Sequence, residues 1–391
     1  MSVAAGSETR MGRWVADPGF GVYVHVPFCR HRCHYCDFNT YEGLEHEYDS
    51  YVDALIADIG RWDGETRPAT SVFFGGGTPT LLRPVQLGRV LDAVRDRCGL
   101  APGAEVTVEA NPETVDERYF EALLDAGFNR VSLGVQSLVG KVLVGLGRTH
   151  GSDAALGALA AARRAGFDDV NVDLIYGSPW ESDGDWITSL HGTVDAAPDH
   201  VSAYALTVED GTPLATLVAT GRMPDVDPDL QARRHAVADA VLGAAGYTRY
   251  EVSNWARPGR ASAHNVLYWC AGDYLGFGSG AHGHVRGERW WTAKLPREFT
   301  GCVNRGVTTR GGGETLRADA RAGEALMLGL RLASGIDVAA FAARFGTQPL
   351  VRRAPDLDRL IADGLLERVD GTLRCTARGT MLSNEVAVRL L

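Results

Sequence analysis

The sequence predicts an α/β fold, a run of strand–helix units over about residues 21–220 followed by a smaller helical region with a wing. Two observations predict it. Short runs rich in β-branched or aromatic residues alternate with longer amphipathic stretches, which is the pattern of parallel strands joined by right-handed crossovers. Several of the amphipathic stretches also stop at glycine, a common helix terminator.

The candidate strands are residues 21–26, 71–74, 105–109, 130–135, 169–175 and 200–206. Each is followed by Gly, Pro or polar residues. Helical patterns cover 47–62, 83–97, 116–127, 152–166 and 183–197. These units suit a (β/α)6-like partial barrel, although periodicity alone leaves an open doubly wound sheet as the alternative. Past residue 210 the pattern loosens. A helix over 227–246 precedes a short strand near 247–252, and a segment rich in glycine and aromatics follows over 252–291. Residues 306–314, GVTTRGGGE, read as an exposed loop at a domain junction. Helices beyond it frame a hairpin over 365–375, turning at Asp370-Gly371. The expected organisation is therefore an N-terminal arm (1–20), a barrel (21–220), a connecting segment (221–310) and a C-terminal helical domain with a small wing (311–391).

The chain has 391 residues, 45% hydrophobic and 23% charged, the balance of a globular protein. Its net charge of −10 argues against non-specific nucleic-acid binding, which needs a basic face. No apolar run approaches the length that spans a bilayer. The first twenty residues lack a signal-peptide core and read as a loose arm, so a cytoplasmic protein is expected.

Three of the seven cysteines crowd into HVPFCRHRCHYCDFN, just past the first strand. The other four, Cys98, Cys270, Cys302 and Cys375, are scattered, which is not the pattern of a disulfide framework. Cys29, Cys33 and Cys36 are spaced C-x3-C-x2-C. Thiolates are the usual ligands of iron–sulfur clusters. A four-iron cubane takes four ligands and only three thiols are local, so one iron would be left for an exogenous ligand. The competing reading is zinc, with His25, His31, His34 or Asp37 as fourth ligand, although structural zinc favours paired C-x2-C units.

That spacing after a first strand resembles the signature of radical S-adenosylmethionine (radical SAM) proteins, and Tyr35 before the last cysteine is similar. The resemblance implies a [4Fe-4S] cluster whose open iron chelates the methionyl amino and carboxylate groups. An electron from the cluster then cleaves the sulfonium to a 5′-deoxyadenosyl radical, chemistry that belongs to the cofactor.

Other motifs can be set beside this likeness. FFGGGTPT (73–80) allows close backbone approach and free N–H groups, though a tight turn is the plainer reading. After a second strand it resembles the family segment that binds the methionyl amino group, which implicates Gly76, Gly77 and Thr78. Glu109 ends the third strand and can accept from ribose hydroxyls, or cap the helix near Thr114. Gln136 ends the fourth strand, Arg148 is a candidate partner for the cofactor carboxylate, and Asp173 ends the fifth. Polar residues at successive strand C-termini are where barrel enzymes build their sites.

The order resembles the anaerobic coproporphyrinogen-oxidase-like group over nearly the whole chain, with Tyr23, Glu109, Gln136, Arg148 and Asp173 at its cofactor contacts. Two functions compete within it. One is the oxygen-independent coproporphyrinogen III dehydrogenase, which decarboxylates two propionates to vinyls. The other is a HemW-type haem chaperone, which delivers haem to apo-proteins. The dehydrogenase motif carries a further cysteine two residues after the third, where this chain has Phe38. The dehydrogenase also has a longer N-terminal arm. Residues 264–269, HNVLYW, resemble the HNxxYW haem-binding motif of the chaperones. Imidazole is a common axial ligand of haem iron, which makes His264 the candidate, with Asn265 orienting it and Tyr268 and Trp269 supplying apolar surface. A buried domain contact is the alternative for His264, and His282 and His284 are rival ligands. The expected partners are haem and a recipient apo-protein. A respiratory recipient would place the protein at the inner face of the membrane, and a homodimer is left open.

Overall fold

The computed structural model describes residues 9–390. Six parallel strands form its centre: β1 (Phe20–Val26), β2 (Ala69–Gly76), β3 (Leu100–Ala110), β4 (Arg130–Gln136), β5 (Val170–Tyr176) and β6 (His200–Ala205). The crossovers are α1 (Tyr48–Arg61), α2 (Pro84–Cys98), α3 (Glu117–Ala126), the pair α4 (Gly140–Leu146) and α5 (Ser152–Ala165), and α6 (Asp183–Asp195). The strands neighbour one another in sequence order. A doubly wound sheet reverses order at a switch point, so this is a (β/α)6 partial barrel.

Alternation along these strands separates two environments. Val22, Val24, Val72, Phe74, Val106, Val108, Val131 and Leu133 pack beneath the helices in the main core. The residues between them share the other face, because register partners point the same way: Tyr23 pairs with Phe73, Phe73 with Thr107, and Ser132 with Asn171. That face carries His25, Glu109, Ser132, Asn171 and Asp173.

The sheet does not close. Among the described residues it has twelve strands: two short ones extend the edge beyond β6, and four more lie beyond β1. After helices α7 (Pro213–Ala219) and α8 (Pro228–Ala244), the short strands β7 (Thr248–Arg249) and β8 (Asn254–Ala256) extend one edge. Helix α9 (Ala263–Trp269) contains HNVLYW, and β9 (Asp273–Phe277) then lies parallel to β1. Strands β10 (His282–Val285), β11 (Glu288–Thr292) and β12 (Arg310–Thr315) follow antiparallel. Residues 221–310 therefore build much of the sheet rather than merely connecting two domains.

Two local expectations need correction. The stretch expected as an exposed loop is mostly strand β12, because its glycines leave room for tryptophans. A Cβ at Gly312 would lie 2.4 Å from the Trp291 indole. The described part of the arm, from Thr9, is packed rather than loose, and residues 1–8 lie outside the described residues. Arg10 pairs with Glu105 at 3.1 Å and with Asp169, while Arg130 lies 3.4 Å from Asp169. Trp14 joins a second core, 6.0 Å from the Phe341 ring.

The C-terminal region holds helices Ala318–Gly329, Val338–Phe345, Gln348–Ala362 and Ser383–Leu390 around a three-stranded sheet. Its hairpin turns at Asp370-Gly371 as expected, with φ of 48° and 80°, the positive pair of a type I′ turn.

Candidate functional site

The cysteine loop leaves β1 at Val26 and is tied down by backbone. Cys29 N–H donates to Tyr41 C=O at 2.9 Å, and Tyr41 N–H to Pro27 C=O at 2.8 Å. His34 N–H bonds Leu146 C=O, and His34 C=O accepts from Leu214 N–H. Cys29, Cys33 and Cys36 are near enough to act on one another electrostatically, and burial pushes the Cys29 thiol up to about 11. Bound iron would reverse that, because a coordinating thiol is deprotonated outright.

The loop rests on the glycine segment at the end of β2. Gly77 N–H donates to Val26 C=O at 2.8 Å, and Thr78 N–H to Phe28 C=O at 2.7 Å. A Cβ at Gly77 would lie 2.4 Å from the Phe28 carbonyl oxygen, so only glycine allows this approach. Gly76 has φ +111°, and a Cβ there would lie 2.3 Å from the His25 ring. The N–H groups of Gly76, Gly77 and Thr78, expected to be free, are all donated within the chain, and the close approach is of the chain to itself.

An open cavity of about 420 Å³ lies beside the thiols at the strand C-termini. Cys29, Cys33, Cys36, Gly76, Gly77 and Thr78 line one side, and Glu109, Gln136, Arg148 and Asp173 the other. Glu109 accepts Gly76 N–H at 3.0 Å, and burial plus the neighbouring Asp173 charge push its carboxyl up to about 8. Asp173 accepts from Ser132 Oγ at 2.7 Å and Asn171 Nδ2 at 2.8 Å. Arg148 donates to Asn111 Oδ1 at 2.6 Å and Gly134 C=O at 2.8 Å, and lies 3.4 Å from Cys33 Sγ. Its Nε is buried without a partner among the described residues. Gln136 sits at φ +66°, an unfavourable backbone for a non-glycine residue of the kind that clusters at functional sites.

Tyr23 lines a second cleft of about 320 Å³, which shares Phe38, Gly76 and Glu109 with the first. His25 Nε2 faces the Asn39 carbonyl at 2.9 Å and must carry the proton there. Its Nδ1 therefore accepts the Tyr23 hydroxyl at 2.9 Å.

Three thiols in one loop, with backbone, carboxylates and a guanidinium facing them across a ligand-sized cavity, fit a [4Fe-4S] cluster with one open iron. No other cysteine lines this cavity. Among the described residues no group of His, Cys, Asp and Glu is arranged to hold a single metal ion. A polynuclear cluster spaces its thiolates more widely than one ion does.

Family comparison agrees with this geometry. Residues 23–191 match the radical SAM superfamily, and residues 316–382 the HemN C-terminal domain. The chain is 43% identical to the heme chaperone HemW of Mycobacterium tuberculosis (strain H37Rv) over 379 residues, covering 95% of each. The chain belongs to the HemW family of radical SAM proteins. It is also 36% identical to HemW of Escherichia coli (strain K12), over 94% of this chain and 97% of that one. The solved structure of coproporphyrinogen III oxidase (HemN) from Escherichia coli superposes with a TM-score of 0.81 at 23% identity, covering 98% of this chain and 92% of that one. That likeness shows the fold.

Within this HemW-family chain one expected site residue stands apart. His264 lines neither cavity. It is buried, with Nδ1 2.9 Å from Ser71 Oγ and Nε2 2.9 Å from Tyr268 Oη, and its ring stacks on Phe73. Both nitrogens are engaged and burial lowers its pKa to about 3. That is the geometry of the buried-contact alternative, not of an open ligand. Asn111, Ser132 and Asn171 were missed from the sequence. A signal existed: parallel strands are normally continuous apolar runs, and polar residues at alternate positions mark a face turned to a site.

Proposed function

We propose that the protein is a haem chaperone, which holds a [4Fe-4S] cluster on Cys29, Cys33 and Cys36 with S-adenosylmethionine beside it, binds haem and passes it to recipient apo-proteins. The observation that carries the reading is Phe38. It stands where the dehydrogenase motif has a cysteine, is 64% exposed, and borders both cavities. Full-length likeness to proteins named HemW supports the same conclusion.

When bound, the cluster supplies the electron for reductive cleavage of the sulfonium. The chain's own residues serve binding. Arg148 offers positive charge to the cofactor carboxylate while bracing Cys33. Glu109 and Asp173 offer acceptors for hydroxyls, and Gly76 and Gly77 line the cavity. The Tyr23–His25–Asn39 hydrogen-bond chain lines the second cleft. Phe38 offers apolar surface to a porphyrin.

We place the protein in the cytoplasm, with a respiratory apo-protein as the recipient that would bring it to the inner membrane face. No helix among the described residues is long and apolar enough to cross a membrane. The test is one anaerobic, cluster-reconstituted sample given a haem titration and, separately, coproporphyrinogen with S-adenosylmethionine. Saturable haem uptake without protoporphyrinogen is expected. Turnover to protoporphyrinogen would sink the proposal in favour of the dehydrogenase.

A further inference from the structure

Haem iron needs an imidazole nitrogen that is free and reachable, and the segment 264–284 offers three histidines. His264 is excluded by its two hydrogen bonds and its burial. His284 lies 3.5 Å from Gly272 C=O through Nδ1, and its Nε2 is buried with no partner among the described residues. His282 is different: it is exposed on β10, borders the 320 Å³ cleft, and makes no side-chain hydrogen bond among the described residues.

Register explains how His282 reaches that cleft. Phe73, Tyr23 and Gly276 are direct neighbours on β2, β1 and β9, and His282 pairs with Trp291 on β11. Gly276 lies between Tyr23 and His282. A Cβ there would be 1.9 Å from the His282 carbonyl oxygen, so β10 approaches closely only because this residue is glycine. Beside this close approach, Phe38, Tyr268 and Tyr274 wall the cleft that His282 borders. The Trp291 ring lies 5.9 Å from the His282 ring at 33°, which steadies the imidazole from the side. Lys294 places positive charge beside His282, where a porphyrin propionate can meet it, while the nearby Arg289 is held by Glu314 and Glu324. Lys294 makes no ion pair among the described residues.

We propose that His282 is the axial ligand of haem iron, with the porphyrin lying in the aromatic cleft between Phe38, Tyr268 and Tyr274. This assignment rests on the haem-chaperone reading. The HNxxYW segment then contributes Tyr268 to the haem wall, while its histidine holds Tyr268 in place from below. The cleft shares Phe38, Gly76 and Glu109 with the cluster cavity, so haem sits against the cofactor site with one edge open to solvent, where a recipient can reach it.

The test titrates ferric haem into the cluster-loaded full chain and into His282→Ala, His282→Gln and His284→Ala, read by Soret position and spin state. The His282 variants are expected to lose the wild-type low-spin signature and to bind about tenfold or more weakly. Added imidazole should restore the signature in His282→Ala, a rescue that a merely structural role would not produce. His284→Ala should retain the wild-type spectrum. An unchanged spectrum and affinity in both His282 variants, with wild type binding haem, would overturn this ligand while leaving the chaperone reading standing. No haem binding by wild type would overturn both.

Discussion

Glu105 accepts the backbone N–H of His264 at 3.1 Å, and that of Ala263 at 2.8 Å. A carboxylate from the start of the barrel interior thus caps the helix that carries HNVLYW, and Arg10 closes the same carboxylate from the arm. The helix forms the floor of the barrel at the strand N-termini, opposite the cofactor cavity. Four expectations follow from this arrangement and from the site above it.

His264→Ala removes a buried ring, leaves Ser71 and Tyr268 without their shared partner, and opens a cavity against Phe73. The cost expected is about 2–4 kcal/mol of folding stability. Urea unfolding of the full chain checks it. A change under about 0.5 kcal/mol would mean the ring is not part of the core.

Arg10→Ala leaves Asp169 and Glu105 buried with less countercharge, although Arg130 still faces Asp169. Breaking one partner of a buried pair is costly, and partial exposure of Arg10 tempers the effect to about 2–3 kcal/mol. Thermal melts should show the loss, and Arg10→Lys should recover only part of it because a single ammonium cannot serve both carboxylates equally. Melts of Arg10→Ala that match wild type would show the arm to be unimportant.

Gly77→Ala drives a methyl into the Phe28 carbonyl and pushes the glycine segment off the cysteine loop. Iron retained per chain after anaerobic reconstitution should fall by half or more, with the rest of the fold intact by circular dichroism. Full iron occupancy would mean the loop does not depend on this contact.

Glu109 sets a pH dependence. Its carboxyl, held up at about 8 in the folded protein, is ordinarily near 4.5. Between those values the folded chain holds a proton that the unfolded chain has released. Stability from this group is therefore full below about 4.5 and falls as pH rises towards 8. In protein free of S-adenosylmethionine, Glu109→Gln should be more stable than wild type at pH 8 by about 1–3 kcal/mol and nearly equal to it at pH 4.5. Denaturant midpoints at the two pH values decide it. An equal offset at both would show that ionisation is not the cause.

The parts legible in the sequence were those written in local spacing. Cys29, Cys33 and Cys36 lie in one loop, so covalent spacing alone brings them together. The parallel strands and their crossovers follow from periodicity, and the strand C-termini locate Glu109 and Gln136 without any knowledge of packing. Phe38 was readable for the same reason, because its meaning lies in its distance from Cys36.

What only the tertiary structure decided depends on contacts between distant segments. Strand β9 pairs Asp273–Phe277 with Phe20–Val24, and no local pattern specifies that partner. The pairing carries β10 to the cluster side and turns His282 into the cleft. His264 is drawn down onto Ser71 and Phe73 instead. A histidine's chemistry depends on whether its nitrogens meet solvent or a buried partner. The amino-acid order names three histidines between 264 and 284. Strand register and burial determine which of them has a free nitrogen.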